Sequence, residues 1–394
     1  MLKRPYALRR VLTGQTHDGW SATPLDVQER LVELRDADET AALATVVDVE
    51  GSAFRRPGAK MVLSPHGGHT GVITAGCLEG PVAELATAVH ADGDTILRTF
   101  DMMDDDEWGL GLGCNGIIDV FVEPVDASLD RALDALASGE PAGLVTVVES
   151  SAPAVEPGDR AALVDGDLRP VEARSSLPEP MLEDVSAVVR DCAERGTTAI
   201  RESDLEDGTV RVFVDGVEPP PELLVFGGQP DSIPVVKLAR DVGFRVNVAT
   251  ARGGLADPDR FPGAAEVLAV RPNDLDEHVD EGTFVVVMSH NVVDDELAMA
   301  SLAETDVPYV GLMGPRDRFE KLRDDLENDG VVLSEAFLER VGAPVGLDLG
   351  GDAPMEIALS IVSELLAVRN DRAGGRLRDR SGSIHGEHAH VTEE

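Results

Sequence analysis

The chain contains 394 residues, of which 43% are hydrophobic, and its mean hydropathy is −0.06. This length and balance predict a globular protein of two or three domains with a substantial core. A net charge of −40, with no basic stripe to meet phosphates, argues against nucleic-acid binding. No stretch approaches the roughly 18 apolar residues that cross a membrane, and three cysteines are too few for a disulfide framework. We therefore expect a cytoplasmic protein with reduced thiols and no membrane span.

The acidic residues are spread along the whole chain and are not collected in one tail. The sequence holds 74 acids against 34 basic residues, and its lysines are only Lys3, Lys60, Lys237 and Lys321. Such a dispersed acidic surface is typical of adaptation to high salt, where screening removes the self-repulsion of like charges. We expect a salt-adapted protein, and the charge says nothing of its activity.

In chain order, the first part mixes helices with short strands. Residues 1–24 predict a flexible polar leader, and residues 150–180 predict hairpins and loops. The hydrophobic periodicity predicts helices at 25–36, 81–92, 129–138 and 181–194. It predicts strands at 43–49, 60–63, 71–73, 117–123, 143–149 and 210–214. We interpret residues 25–218 as a mixed α+β domain.

Three consecutive prolines at 219–221 mark a domain boundary, because proline continues neither a helix nor a central strand. Beyond them, strands at 223–226, 244–249, 284–288 and 309–312 alternate with helices at 233–242, 294–303, 316–329 and 354–368. This alternation predicts an α/β domain at 222–370 with a doubly wound parallel sheet. Residues 371–394 predict a polar tail.

Two of the three cysteines lie in glycine-rich turns. Cys77 is bracketed by Gly76 and, after Glu79, by Gly80, and Cys114 follows Gly113. Glycine lets backbone amides approach a sulfur closely, and Cys77 also precedes a helix N-terminus; both effects favour a thiolate. The alternative is that the two cysteines simply pack at strand ends, as small buried residues do.

The turn after strand 223–226 has the context of a phosphate-binding loop but an imperfect pattern. It begins Gly227-Gly228-Gln229, and Pro234 stands where a third glycine would allow close helix packing. The next strand ends without the acid that binds a ribose hydroxyl. NAD(P) binding is therefore doubtful. A phosphate could instead be held by Arg252, by backbone amides, or by the loop from Gly314 to Arg316.

A short polar loop follows strand 284–288. Ser289 and His290 stand at the carboxyl end of a predicted parallel strand, where ligands bind in this architecture. His290 is a candidate proton shuttle or ligand contact, and the alternative is a histidine without chemistry.

Several separated motifs resemble the XdhC/CoxF (CoxI) family, and they follow one another over residues 25–370. In the first domain they are Arg55-Arg56-Pro-Gly-Ala-Lys-Met, Gly76-Cys77-Leu-Glu79-Gly80 and Trp108-Gly-Leu-Gly-Leu-Gly113-Cys114-Asn-Gly. In the second they are Gly227-Gly228-Gln229-Pro-Asp-Ser-Ile-Pro, Ser289-His290-Asn, Gly311-Leu-Met-Gly314-Pro-Arg316 and Pro354-Met-Glu-Ile-Ala-Leu-Ser-Ile.

The resemblance implies a Rossmann-like second domain and an accessory role toward molybdenum hydroxylases such as xanthine dehydrogenase and aerobic carbon monoxide dehydrogenase. It implies binding of the molybdenum cofactor, as molybdopterin or its dinucleotide form, support of its sulfuration, and delivery into the apo-enzyme. An apo molybdenum hydroxylase, a cysteine desulfurase and a second copy in a homodimer are the partners considered. A cofactor-maturation chaperone fits this role better than an enzyme that turns over.

The resemblance also places roles on residues of this sequence. Cys77 is the first choice for a sulfur ligand to the molybdenum of the cofactor, and Cys114 the second. Arg55 and Arg56 would clamp the phosphate. Further cofactor-binding residues are Gly76, Glu79, Gly80, Gly113, Gly227, Gly228, Gln229, Arg252, Ser289, His290, Gly314 and Arg316.

Two other functions stay open. An NAD(P)-dependent oxidoreductase would use His290 as acid–base and the second domain for the dinucleotide. A thiol redox protein would use Cys77 and Cys114, although the sequence has no C-x-x-C spacing.

Overall fold

The structure, a computed structural model, describes residues 19–102, 116–164, 166–171 and 177–381. The chain divides between Pro220 and Pro221 into two compact units. Among the described residues, no helix combines the length and apolarity needed to span a membrane.

The N-terminal unit contains two antiparallel sheets of five strands each. The strands of the first sheet are β1 (Ala42–Gly51), β2 (Lys60–Leu63), β3 (His69–Thr70), β4 (Ile96–Asp101) and β5 (Gly116–Pro124). Those of the second are β6 (Ala142–Ser150), β7 (Arg160–Val164), β8 (Asp167–Pro170), β9 (Thr198–Leu205) and β10 (Gly208–Val217). The helices are α1 (Pro24–Ala37), α2 (Glu79–Asp92), α3 (Asp130–Ala137) and α4 (Glu179–Arg195).

The two sheets are repeats of one motif. Their strand orders, β3-β2-β1-β5-β4 and β8-β7-β6-β10-β9, are the same order shifted by five strands. In the first, Val46 donates to the carbonyl of Ala59 and accepts from the amide of Gly58; in the second, Val147 makes the same bonds with residues 159 and 158. Gly58 and Gly158 both have positive φ, +92° and +97°. The unit therefore contains an internal structural repeat, which the hydrophobic periodicity did not predict.

Two reciprocal ion pairs join the repeats. Lys60 at the start of β2 lies 2.6 Å from Asp215 of β10, and Arg160 at the start of β7 lies 2.6 Å from Glu123 of β5. In each case the cation of one repeat meets the carboxylate of the other. Both side chains of the Arg160 pair are at most 4% exposed. Because an unpaired buried charge is costly, these pairs fix how the two sheets face each other.

The C-terminal unit is built on a six-stranded parallel sheet. Its strands are β11 (Glu222–Phe226), β12 (Arg245–Thr250), β13 (Glu266–Ala269), β14 (Thr283–Val287), β15 (Val310–Leu312) and β16 (Val341–Gly342). Its helices are α5 (Ser232–Asp241), α6 (Val292–Leu302), α7 (Arg316–Asn328), α8 (Glu335–Leu338) and α9 (Pro354–Arg369). The strand order is β13-β12-β11-β14-β15-β16, which is the doubly wound order of Rossmann-like domains.

Helices cover both faces of this sheet because successive strand residues point to opposite sides. Leu223 and Val225 pack in one cluster with side chains of α5 and α9. Leu224 and Phe226 pack in the other cluster with side chains of α6 and α7. The predicted fold class, a mixed α+β domain followed by a doubly wound α/β domain, is confirmed.

One predicted strand is wrong. The chain does not continue as a strand through 71–73, because Gly71 turns with φ of +91° against the carbonyl of Lys60, and β3 ends at Thr70. The strands β4 and β9 were not predicted, since charged residues interrupt their alternation.

Candidate functional site

Three loops of the first repeat meet at one end of its sheet. Gly51, the last residue of β1, pairs with Gly116, the first of β5. Met102, just after β4, donates its amide to the carbonyl of Gly116 at 3.0 Å. Ala53 and Cys77 pack against the same apolar cluster. The helix that follows the Cys77 loop, α2, packs on β1 and β5 and leads into β4, whose first residue pairs with Val122 near the opposite end of β5. This direction puts the start of α2, and the Cys77 loop before it, toward the end that carries the loop with Arg55 and Arg56 and the residues that flank segment 103–115. This end is called here the Cys77 end.

Cys77 lies in a loop that is closed by a buried pair. Thr74 donates its amide to Glu79 Oε1 at 2.8 Å and its hydroxyl to Oε2 at 2.5 Å. The same hydroxyl oxygen accepts the amides of Cys77 at 3.2 Å and Leu78 at 3.1 Å. Thr74 and Glu79 are both nearly inaccessible, whereas the Cys77 thiol is half-buried. The buried carboxylate of Glu79 thus holds the loop through its hydrogen bonds with Thr74, while the Cys77 thiol remains partly exposed to solvent.

The helix α2 begins at Glu79, two residues after Cys77, and no side chain caps its N-terminus. The positive end of the helix dipole therefore lies close to Cys77 in the chain, together with the buried carboxylate of Glu79. Gly76, before Cys77, needs to be glycine because its φ is +110°, whereas Gly80 is exposed and a Cβ there would meet nothing within 4 Å.

Arg55 and Arg56 are half-buried in the loop between β1 and β2. In the described part of the chain neither guanidinium forms an ion pair or a side-chain hydrogen bond, although the chain has 40 more acids than basic residues. Burial lowers the pKa of Arg55 from its ordinary value, and arginine still stays charged. Two half-buried cations without carboxylate partners are suited to an external anion.

The remaining predicted residues of this domain, Gly113 and Cys114, lie outside the described residues. Gly116, two positions after Cys114, stands at the Cys77 end. The proximity of the two thiols stays a prediction.

In the C-terminal unit, a narrow cleft opens at the carboxyl ends of β11, β12 and β14. The predicted residues among its lining are Gly227, Gly228, Gln229, Arg252 and Ser289. Both glycines have a packing reason: a Cβ on Gly227 would lie 2.5 Å from the carbonyl oxygen of Met288, and one on Gly228 would lie 2.9 Å from Thr250 Oγ1. Close strand packing therefore explains the glycine turn without a ligand.

The charged groups beside this cleft are paired with each other. Arg252 lies 3.3 Å from Asp294. His290, with φ of +59°, places Nε2 2.6 Å from Asp231 at the start of α5. Asp295, which is almost fully buried, accepts hydrogen bonds from Ser289 and from Arg318. Burial raises the pKa of Asp295, and the Ser289 and Arg318 contacts oppose that rise.

Gly314 and Arg316 are not among the residues that line the cleft. Gly314 follows β15, with φ of +134°, and packs against the side chain of Arg318. Arg316 is exposed at the first turn of α7.

Comparison with known proteins identifies the family. A model of the XdhC and CoxI family matches residues 34–101, and a model of the XdhC Rossmann domain matches residues 223–365. Over 347 residues the chain is 30% identical to a probable xanthine dehydrogenase subunit of Bacillus subtilis strain 168, covering 85% of this chain and 95% of that protein. The chain belongs to the XdhC and CoxI family.

The chain is also similar to one solved structure and to one further bacterial protein. A crystal structure described as a xanthine dehydrogenase from Bacillus halodurans has a TM-score of 0.69 at 27% identity, covering 88% of this chain and 96% of that one. The uncharacterized protein YqeB of Escherichia coli K12 is 28% identical over 180 residues, which cover 43% of this chain and 31% of YqeB.

The sequence did not point to two residues at the Cys77 end of this XdhC and CoxI family chain. Thr74 holds the Cys77 loop by its hydrogen bonds to Glu79. In the sequence, this role could be suspected only from the position of the threonine, five residues before an acid at the start of a helix. Trp20, in a short 3₁₀ turn before α1, lies against Gly76, and a contact between residues so far apart leaves no periodic signal.

Proposed function

We propose that this protein is an accessory factor for a xanthine dehydrogenase-type or carbon monoxide dehydrogenase-type hydroxylase. It carries the molybdenum cofactor, stabilises its sulfurated form, and inserts it into the apo-enzyme in the cytoplasm. The family, and the xanthine dehydrogenase names of its relatives, support the accessory role. A cysteine desulfurase is the proposed source of the sulfur, and a homodimer the proposed assembly.

One observation carries the proposal: the half-buried Cys77 lies toward the same end of one sheet as Arg55 and Arg56, which have no partner among the described residues. The cargo combines a phosphate ester with a sulfur-ligated molybdenum. A soft thiolate is a ligand that suits such a metal, and guanidinium groups bind phosphate bidentately. The residues present therefore fit both parts of the cofactor. Cys77 would hold the metal end and the arginines the phosphate, with Cys114 as the second thiol.

The charge arrangement favours this end over the cleft of the C-terminal unit. There, Arg252 is engaged by Asp294, and Asp231 adds a further carboxylate. An incoming phosphate would have to displace Asp294 from Arg252. At the Cys77 end, a phosphate could bind Arg55 and Arg56 without displacing a carboxylate of the described residues.

A second candidate function rests on the 2.6 Å contact between His290 and Asp231. A histidine oriented by a carboxylate at the carboxyl end of a parallel sheet is an arrangement suited to acid–base chemistry in an NAD(P)-dependent oxidoreductase. Thr250 at the end of β12 supplies no carboxylate for a ribose, which counts against it.

The test is the cofactor content of protein purified from a molybdate-replete host. Molybdenum is measured by mass spectrometry and pterin by the fluorescence of its oxidised form. We expect both in the unmodified protein and in Cys192→Ala, which removes a buried thiol of the second repeat. We expect neither in Cys77→Ala.

The transfer step is tested by mixing loaded protein with apo-hydroxylase and following the recovery of hydroxylase activity. Full cofactor content in Cys77→Ala would contradict the assigned role of Cys77. Protein that holds NADPH tightly and never any pterin would favour the second candidate.

A further inference from the structure

Two large aromatic side chains are exposed at the Cys77 end. Trp20 is 48% exposed and Phe54 is 60% exposed. None of the other large hydrophobic side chains exposed in the described part of the chain is aromatic. Aromatic residues make up only 4% of the sequence, so two exposed rings toward one end of a sheet are unusual for this chain. Phe54 directly precedes Arg55, and Trp20 lies against the residue before Cys77.

The ring of Trp20 is held in place from two sides. Its Cη2 atom lies 3.1 Å from the position that a Cβ would take on Gly76. Its centroid is 6.3 Å from that of His69, with the two ring planes at 90°. Gly19 permits this approach, because a Cβ there would lie 2.5 Å from His69 Nε2. The indole is therefore positioned by packing while about half of its surface stays uncovered.

The surroundings of this ring indicate what covers it. An exposed aromatic face suits stacking by a flat heterocyclic ring, and the guanidinium groups of Arg55 and Arg56, toward the same end of the sheet, suit an anion carried by the same ligand. The thiol of Cys77, one residue from Gly76, adds a sulfur ligand on the same loop.

We propose that Trp20 is the stacking platform for the fused heterocyclic ring of the pterin, so that the ring lies over the indole. This assignment rests on the proposed function, since it names the subsite that holds one part of the same cargo. Trp20 is a binding and positioning residue, and it takes no part in a chemical step.

The experiment uses the intrinsic fluorescence of the full-length protein and neopterin monophosphate, a phosphorylated pterin without molybdenum. The sequence has two tryptophans, Trp20 and Trp108, so Trp108→Phe assigns the signal to Trp20. We expect saturable quenching of Trp20 by the phosphorylated pterin, and none by inorganic phosphate. Because stacking on one aromatic side chain is a substantial part of such affinity, Trp20→Leu should bind about 10-fold more weakly by equilibrium dialysis.

Trp20→Phe keeps an aromatic face and should retain an affinity between those of the unmodified protein and Trp20→Leu. Leu377→Ala, which truncates an exposed aliphatic side chain of the C-terminal unit, is the matched control and should bind normally. Equal affinity in Trp20→Leu and the unmodified protein, or unquenched Trp20 at saturation, would overturn the assignment.

The failure of the stacking proposal can be told from the failure of the carrier function. If molybdenum and pterin copurify in a Cys77-dependent manner while Trp20→Leu loads and binds as well as the unmodified protein, only the role of Trp20 is refuted. If neither the cofactor nor the phosphorylated pterin binds any version of the protein, the carrier function itself is refuted.

Discussion

Thr74 and Glu79 form a buried pair in which one carboxylate accepts both the amide and the hydroxyl of the same threonine, at 2.8 and 2.5 Å. The pair closes the loop that carries Cys77 and joins it to the first turn of α2. An acidic residue that the sequence indicates as a cofactor ligand therefore has a structural task. It holds the thiol loop in shape, and the cofactor need not contact it.

Thr74→Val is expected to loosen this loop. The substitution keeps the side-chain shape but removes the hydroxyl that bonds to Glu79 and to the amides of Cys77 and Leu78. Leaving such buried groups unpaired costs about 1–3 kcal/mol in the free energy of unfolding. We expect that loss by urea denaturation, together with reduced molybdenum content. Thr74→Ser should restore both; a Thr74→Val protein with unchanged stability and loading would contradict this role.

Arg55→Gln with Arg56→Gln should weaken the binding of a phosphorylated pterin and reduce its salt dependence. A hydrogen bond to a charged group contributes about 1.5–3 kcal/mol, so we expect a loss of at least about 10-fold in affinity. Arg131→Gln is the matched control, because Arg131 is exposed on α3, which follows the opposite end of β5. Dialysis at several KCl concentrations measures both effects. If the control lost half as much binding free energy as the double variant, which removes twice the charge, only net charge would matter.

Arg160→Leu should strongly destabilise the N-terminal unit. It leaves Glu123, whose side chain is 4% exposed, without its 2.6 Å partner. Breaking a buried ion pair from one side costs about 3–5 kcal/mol, whereas replacing both partners with apolar residues is often neutral. We therefore expect Glu123→Leu with Arg160→Met to be more stable in urea than Arg160→Leu alone. The opposite order would exclude an uncompensated carboxylate as the cause.

The stability of the C-terminal unit should depend on the ionisation of Glu222, at the start of β11. Burial raises the pKa of Glu222 from 4.5 to about 7, while Arg245 opposes the rise. Because the folded-state pKa is the higher one, the stabilising contribution is complete below about pH 4.5 and is lost as the pH rises through about 7. At about 1.4 kcal/mol per pKa unit, the contribution is on the order of 3 kcal/mol.

Glu222→Gln should remove this part of the pH dependence. The difference in unfolding free energy between the two proteins, measured in urea from about pH 4.5 to 7.5, isolates the Glu222 contribution from that of other carboxylates. We expect the variant to be the more stable protein at the upper end. A difference that does not change with pH would contradict the raised pKa.

The net charge of −40 should make the protein more stable in high salt. The Debye length falls from about 10 Å at 0.1 M ionic strength to about 3 Å at 1 M, which screens repulsion between carboxylates. We expect the thermal midpoint to rise between these KCl concentrations. A constant or falling midpoint would argue against salt adaptation.

The C-terminal fold was predictable because its signals are local. Buried strands such as 223–226 and 284–288 are short apolar runs, and amphipathic helices separate them, so period and length suffice to indicate a parallel sheet. The antiparallel unit was less predictable. Its strands β4 and β9 carry charged residues, and Gly71 turns the chain where a strand over residues 71–73 was predicted.

The candidate site likewise has features that the sequence predicted and features that only the structure revealed. The glycine-rich turn drew attention to Cys77, and the family resemblance to Arg55 and Arg56; the placement of the Cys77 loop before α2 was correct. The support from Thr74, the Trp20 platform and the pairing of Arg252 with Asp294 required the structure.

By itself the sequence determined the fold class, the family resemblance and the residues that carry sulfur and cationic chemistry, because these depend on residue type and near-neighbour spacing. Only the tertiary structure decided which of those charges are compensated. It showed that Arg252 forms an ion pair with Asp294 and that Glu79 accepts hydrogen bonds from Thr74. It also showed that Arg55 and Arg56 have no partners among the described residues. The physical reason is that Coulomb and hydrogen-bond energies depend on distance in space, which chain separation does not give.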